Sequence, residues 1–562
     1  MQTGKSTVKD IFDGTRIFNV PTYQRAYSWE REGNLEDFLN DLCSQHPERP
    51  YFLGSFLFHL NGNKSEFALV DIVDGQQRLT TLVIFMHVLL GRLIAQGSTL
   101  VSERTRRIFV HDGDIFKLES ANEGNTFLHD LVLGDRLYSP EEVTLVTNSQ
   151  RLLLDARQYF EEQLARHDLT KLEKIYTTAV NADVLLYVVD KISMATQIFE
   201  LLNDRGRRLT DLESIKSFLM YNAGVAFDHP EQVIGKIQED FSEIYRLIES
   251  HKINDRDVLR YHMLAFEPYP GDYTDKPKAY IKERILRLVS DPGKRDEARE
   301  QIREYPARLR RSFQLFAKIR DLRLADQELA QTYMIGRVAP FYPALMKVYS
   351  EKASDFHRLV AAINAFTFRS SLARLRSNGE SYQYTCMRNG DDVVELIEKF
   401  VQENWWNING RAREALDYEN YYDWLEKNVV RYILFSYENN LRDKKGFPLL
   451  SSKDYASKDS REKLSIEHIT AKRVKSVEFD DEFKEKYLNA LGNLVVDHAA
   501  SNSSKGRKDG HEKLAHYSLA PLISQNELND FCCDWDSLGS IKEFIKRRED
   551  RLKTFISTRF GV

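Results

Sequence analysis

Apolar and polar positions alternate in two rhythms along this chain. Near-continuous apolar runs at 51–60 (YFLGSFLFHL) and 67–73 (FALVDIV) predict two strands, with Gly62-Asn63 as the turn between them. Residues 79–96 predict an apolar helix, 184–189 (VLLYVV) a further strand, and 196–203 a helix that ends near Gly206. Thr210-x-x-Glu213 is a capping box, so another helix begins there. From about Met220 to Asn440 the pattern is almost wholly helical, and mixed-charge stretches such as 294–331 read as solvated helix faces. Beyond Asp443 a polar, turn-rich segment leads into a C-terminal part. The expected fold class is α+β and multidomain, predominantly helical: an α/β domain over 1–220, a helical middle over 221–440 and a C-terminal domain over 441–562.

The 562 residues exceed what one ordinary core accommodates, which fits this division. A net charge of −5 means that nucleic-acid contact must come from local patches. The four cysteines (Cys43, Cys386, Cys532, Cys533) make no CxxC pair, which argues against a disulfide framework or a cysteine-rich zinc site and fits a reducing cytoplasm. There is no signal-peptide pattern, and the strongly apolar run at 82–90 is far short of a bilayer span, so a cytoplasmic location without membrane contact is expected.

Near the C-terminus three short segments carry chemistry in order: Ser465-Ile466-Glu467-His468-Ile469, then Leu491-Gly492-Asn493-Leu494, then Ser501-Asn502-Ser503-Ser504-Lys505. Phosphodiester hydrolysis needs an activated water and charge support at the phosphate. A histidine near its unperturbed pKa can take the proton, and carboxylate and amide oxygens suit a hard divalent ion. The order resembles the HNH (His-Me finger) nuclease family and its ββα-metal motif. The resemblance implies His468 as general base, Glu467 and Asn502 as ligands of magnesium or another divalent cation, and Asn493 as the amide that orients the base. It also implies Lys505 at a phosphate, and Lys472, Arg473, Arg507 and Lys508 form the flanking basic cluster expected to hold DNA. His498, His511 and His516 lie close by and are read as bystanders.

A second unusual stretch is Asp74-Gly75-Gln76-Gln77-Arg78, between a strand and a helix. Gly75 permits a tight turn, and amide side chains with first-turn N–H groups at a helix N-terminus make an anion site, with Arg78 as a forked donor and Asp74 able to meet a metal or act on water. Upstream, Pro21-Thr22-Tyr23-Gln24-Arg25-Ala26-Tyr27-Ser28-Trp29 pairs a second Gln-Arg with aromatics, read either as core or as a stacking surface for a base. Downstream lie Asn203-Asp204-Arg205-Gly206 and, one helix on, Lys216. Together these pieces resemble the N-terminal domain of GmrSD-type restriction endonucleases, with its ParB-like fold and DGQQR signature. The resemblance implies a site for a nucleoside triphosphate built from Asp74, Gln76, Gln77 and Arg78, with Tyr23, Gln24, Arg25, Asn203, Asp204 and Arg205 contributing. Gly4-Lys5-Ser6-Thr7 echoes a P-loop but lacks the earlier glycine, and reads as coincidence at a flexible terminus.

The resemblances imply a defence nuclease that cuts foreign, often modified, double-stranded DNA, regulated or driven by a nucleoside triphosphate and compatible with a homodimer. Two other readings stay open: a nucleotide-gated DNA-binding regulator with a silent C-terminal domain, and one half of a toxin pair whose DGQQR domain docks a partner.

Overall fold

The computed structural model describes residues 2–45, 51–120, 124–134, 145, 147–195, 198, 210–267, 276–457, 459, 462–471, 477–505, 508 and 510–562. It divides into two compact units, one of residues 1–260 and 270–314, the other of 261–269 and 315–562. The protein is α+β and mostly helical.

The first unit is organised by a mixed sheet. Strands β1 (Gly4–Thr7), β2 (Arg16–Val20), β3 (Phe52–Lys64), β4 (Phe67–Asp74), β7 (Leu118–Ser120) and β8 (Asp183–Val189) lie in the order β1-β8-β3-β4-β2-β7, while β5 (His111–Asp112) and β6 (Ile115–Phe116) form a separate pair. β3 runs parallel to β8 and antiparallel to β4. The turn between β3 and β4 is at Ser65, which takes φ 56°, and not at Gly62-Asn63 as the residue types suggest. Those two lie within β3, where the ladder shifts register between Leu60 and Asn63 and resumes with Asn63 opposite Ala68. A glycine there accommodates a bulge as readily as a turn, and the longer hairpin gains ladder bonds. The Gly4–Thr7 segment is not a loose terminus either: it pairs with β8, and Thr7 caps the helix that follows.

Helix Gln76–Ala95 is separated from the end of β4 by Gly75 alone and starts three residues earlier than its apolar pattern indicates. It is long and apolar enough by composition to cross a bilayer, but it serves as a core helix, with 72% of that window buried. Phe56, Phe58, Val70 and Ile72 of the sheet meet Leu82, Phe85, Met86 and Leu89 in one apolar cluster. Thr210 does cap helix Asp211–Ala226: its Oγ1 accepts from the Glu213 amide, and Glu213 accepts a bond from the Thr210 N–H in return.

In the second unit, strands β9 (Leu464–His468) and β10 (Leu494–His498) pair antiparallel, His468 opposite Leu494 and Leu464 opposite His498, and helix Ala499–Lys505 follows directly. Their apolar faces belong to a cluster that also contains Met334, Ile335, Phe368, Tyr421, Ile433, Leu434 and, from the last helix, Leu552 and Ile556. The stretch expected as a separate helical middle over 221–440 is therefore divided: residues up to 314, apart from 261–269, fold with the sheet, and the rest share a core with the C-terminal strands. Amphipathic helices announce that they bury a face, but not against which element.

Candidate active site

His468 ends β9, half-buried, with Tyr422 edge-on at 4.6 Å between ring centroids. Its Nε2 lies 3.0 Å from Asn489 Oδ1, and Asn489 Nδ2 donates to Asp423 Oδ2 at 2.7 Å. This relay fixes the tautomer. A carboxylate only accepts, so the amide nitrogen of Asn489 faces Asp423 and its oxygen faces the ring. The imidazole must then donate from Nε2, and the basic lone pair sits on Nδ1. Asn489 and Asp423 thus perform the orienting role expected of Asn493.

Asn493 is fully buried and acts on backbone. Its Oδ1 accepts from the Thr470 N–H at 2.8 Å, and its Nδ2 donates to the carbonyls of Thr470 and Leu488 at 3.1 and 2.8 Å. It pins the chain just after His468 and does not bond the ring. The glycine before it is a close-approach residue: a Cβ on Gly492 would collide with the Ile545 carbonyl of the last helix. From that helix the buried Arg548 donates to the carbonyls of Gly492 and Leu494 at 2.8 and 2.6 Å.

Glu467 departs from the role expected of it. Neighbours on a strand point to opposite faces, so Glu467 turns inward as His468 turns out. Its carboxylate is bonded by Lys513 Nζ, which also donates to the His468 carbonyl at 2.7 Å. Burial pushes the Glu467 carboxyl up from its ordinary range, and the Lys513 ammonium opposes that. A second buried pair lies on the same side, Lys505 Nζ to Asp497 Oδ2 at 2.8 Å, with Lys505 also over the Tyr517 ring. Lys505, expected at a phosphate, is 2% exposed and cannot reach one. Asn502 Nδ2 donates to Ser465 Oγ and the Ile466 carbonyl at 2.9 and 3.2 Å, tying its helix to β9. The pair Glu467 and Asn502, as placed, does not fit a shared divalent ion: the Glu467 carboxylate is held by a buried lysine, and the Asn502 bonds to β9 are made by Nδ2, not by the Oδ1 that a metal would take. Among the described residues no group of three or more histidine, cysteine or acidic side chains converges to hold a metal. Lys508 Nζ lies 2.8 Å from His516 Nε2. Lys472, Arg473 and Arg507 fall outside the described residues.

In the first unit the 20–29 and 74–78 pieces come together, while Asn203, Asp204 and Arg205 lie outside the described residues. Gly75 takes φ 87°, and a Cβ there would strike the Phe56 ring, so the step from β4 to helix requires glycine. The amides do not face outward. Gln76 Nε2 donates to the Arg25 carbonyl at 2.8 Å, and Gln77 donates to Ala26 O and accepts from Ser28 N–H at 2.8 Å. Gln24 Nε2 donates to Val73 O at 2.7 Å. The three glutamines stitch the 24–28 loop to the strand end and helix start. Tyr23 and Tyr27 are buried, Tyr27 bonding Thr81 at 2.7 Å, so they are core and not a stacking surface. Arg25 meets Glu213 at 3.3 Å. Arg78 donates to the Ser55 carbonyl at 3.1 Å over the Phe56 ring, against Gly54. Burial raises the Asp74 carboxyl and lowers the Arg78 guanidinium, each partly offset by the other. The helix N-terminus at Gln76 has no side-chain cap and no acid in its first turn.

Two family models match the chain in order: the GmrSD restriction endonuclease N-terminal domain over residues 8–220 and the GmrSD restriction endonucleases C-terminal domain over 406–554. The chain belongs to the GmrSD restriction endonuclease family. No curated protein matches it. The family's C-terminal match begins before the turn-rich segment at 443 and takes in helix Tyr421–Trp424, which supplies Tyr422 and Asp423 to the histidine. Sequence reasoning missed both, along with Asn489, Lys513 and Arg548. Asn489 left a trace, as a lone polar residue between Leu488 and Ala490. The others carry no local signal, since their partners lie 45 or more residues away: Lys513 meets the His468 carbonyl and Arg548 the Leu494 carbonyl.

Proposed function

We propose that this member of the GmrSD family is a DNA endonuclease of anti-phage defence in which His468 is the general base. The observation that carries the reading is the Asp423–Asn489–His468 relay, which holds the imidazole at the end of a strand–strand–helix unit. That arrangement resembles an HNH site. In this reading the imidazole takes a proton from water as the water oxygen attacks phosphorus, the P–O bond to the leaving oxygen breaks, and that oxygen takes a proton from solvent water. The imidazolium that forms is stabilised through Asn489 toward Asp423. Glu467, held by Lys513, is not free to bind a divalent ion in this arrangement.

The N-terminal unit is proposed to bind a nucleoside triphosphate that licenses cutting. Support comes from the uncapped helix start after Gly75, with Asp74 and Arg78 beside it. His468→Ala should lower plasmid cleavage by about 10²–10⁴-fold, the span of general-base contributions, and spare nucleotide turnover. Asp74→Ala should remove turnover and leave the His468 relay intact. An unchanged cleavage rate in His468→Ala removes the base assignment. A second reading, a nucleotide-gated DNA-binding regulator, is favoured by the buried Glu467–Lys513 pair alone. Complete absence of nicking by the purified chain with magnesium, manganese and nucleoside triphosphates would select it.

A further inference from the structure

Helix Tyr421–Trp424 does more than steady the histidine. Two residues beyond Tyr422, Trp424 lines a cavity of about 510 Å³ in the same unit. Tyr418 stacks on Trp424 at 4.5 Å between centroids and 24° between planes, and remains 44% exposed. The Arg374 guanidinium lies over the Trp424 ring at 5.7 Å, and Arg376 and Arg411 line the same cavity. Arg411 Nη2 donates to the Ala373 carbonyl at 2.9 Å. Glu414 also lines the cavity, yet among the described residues none of the three guanidinium groups forms an ion pair with a carboxylate.

The backbone at Arg374 points the same way. It follows helix Phe356–Leu372 in a left-handed conformation, φ 48°. The Arg374 and Leu375 N–H groups return to the carbonyls of Ser371 and Ser370 at 3.1 and 2.9 Å. This is the Schellman ending, and its left-handed position is normally glycine. An arginine tolerated there, set on an indole and left without an acid partner, is the kind of local strain that marks ligand sites.

We infer that this cavity takes one nucleotide of the DNA strand, its phosphate on Arg374, Arg376 and Arg411 and its unstacked base against Tyr418 and Trp424. Guanidinium forks match phosphate geometry, and aromatic faces bind any base by stacking. The volume lies within the usual range of ligand cavities, roughly 300–1,000 Å³. The inference rests on the DNA-cleaving reading above and adds a substrate subsite to it. One helical turn carries Tyr422 against the His468 ring, Asp423 against Asn489 and Trp424, two residues on and so on another face of the helix, in the cavity wall, so a nucleotide held there is a neighbour of the reacting one and not the reacting one itself.

The test uses the full-length His468→Ala chain, expected to hold DNA without cutting it, and a fluorescein-labelled duplex followed by anisotropy over a range of salt. Arg376→Glu should weaken duplex binding at least tenfold, and the salt slope should fall by about 0.9 for each phosphate that the protein no longer neutralises. Arg376→Lys should restore most of the affinity, and Tyr418→Ala should weaken binding to single strands more than to duplex. Equal affinity and slope in Arg376→Glu overturns the inference, as does the absence of duplex binding by His468→Ala. If Arg376→Glu loses calorimetric binding of ATP or GTP but keeps duplex binding, the cavity serves a free nucleotide and the inference also falls. The two proposals separate cleanly. A wild-type chain that never cuts, with binding lost in Arg376→Glu, removes the nuclease reading and keeps the subsite. Intact cleavage with unchanged affinity in Arg376→Glu does the reverse.

Discussion

The two signature regions, the turn at Asp74–Arg78 and the strand pair at Glu467–Asn502, use similar residues differently. In the first, every amide is a tether: Gln24, Gln76 and Gln77 all bond backbone. In the second, Asn493 and Asn502 are tethers too, but Asn489 bonds a ring and a carboxylate, joining three side chains into a relay. A distinctive amide in a motif is therefore weak evidence for ligand contact. Its two-sided hydrogen bonding suits it to holding irregular backbone, and what it holds is often the useful group. By that measure the C-terminal region presents an oriented imidazole, while the N-terminal region presents a shaped turn with Asp74 and Arg78 half-buried beside it.

The largest effect expected is at Lys513. Lys513→Ala leaves the Glu467 carboxylate buried without its ammonium and should cost about 3–5 kcal/mol, read by denaturant unfolding. Adding Glu467→Gln should recover much of the loss. If Lys513→Ala is instead benign and gains divalent-ion binding by calorimetry, Glu467 is a metal ligand after all and the contrast between the two regions widens.

Next is Gly75→Ala, which meets a positive φ and the Phe56 ring at once. The expected destabilisation is about 2–4 kcal/mol from strain and overpacking together. A loss below about 0.5 kcal/mol would mean that the N-terminal turn is less tightly shaped than the strand pair.

Asn489→Ala sharpens the contrast between tether and relay. It should lower kcat by about 10²-fold, roughly 2.7 kcal/mol of barrier, with KM little changed and DNA affinity intact. Gln77→Ala, by comparison, should cost about 1 kcal/mol of stability and leave the cleavage rate alone. Equal rate losses in both variants would dissolve the distinction.

The smallest effect is a pH dependence of the first unit. Lys216 is buried between the Tyr23 and Tyr245 rings and donates to the Tyr23 carbonyl, and burial pushes its ammonium down to about 8. As pH rises, the folded chain thus releases this proton before the unfolded chain does. Stability from this group is absent below about pH 8 and grows as pH rises toward the ordinary lysine range. The buried tyrosines act oppositely: burial raises Tyr23 and Tyr27, so the folded chain keeps their protons longer, and stability falls as pH rises past about 10, where unfolded tyrosine ionises. Unfolding followed between about pH 7 and 11 should show a shallow maximum near pH 9–10, and Lys216→Met should flatten its rising limb.

Much of the frame was legible in the residues themselves. The strand runs, the Thr210-Glu213 cap, the Gly75 turn and the order Glu467-His468, Asn493, Asn502 depend on local rules of backbone conformation and periodicity, and these hold wherever the segment ends up. The turn at 62–63 failed because a glycine marks a bulge as well as a hairpin loop. Side-chain roles were beyond reach for a different reason. Whether Glu467 meets a metal or Lys513, and whether Lys505 meets a phosphate or Asp497, is decided by which face of a strand or helix turns inward and by what another element brings to it. Residue 423 reaches residue 489, and residue 548 reaches 494, only after the chain has packed. Local pattern was enough for most of the elements, for the motif positions and for the family. Tertiary structure alone decided which charged groups are neutralised in the interior and which remain to meet DNA, because the energy of a charge is set by its burial and its neighbours.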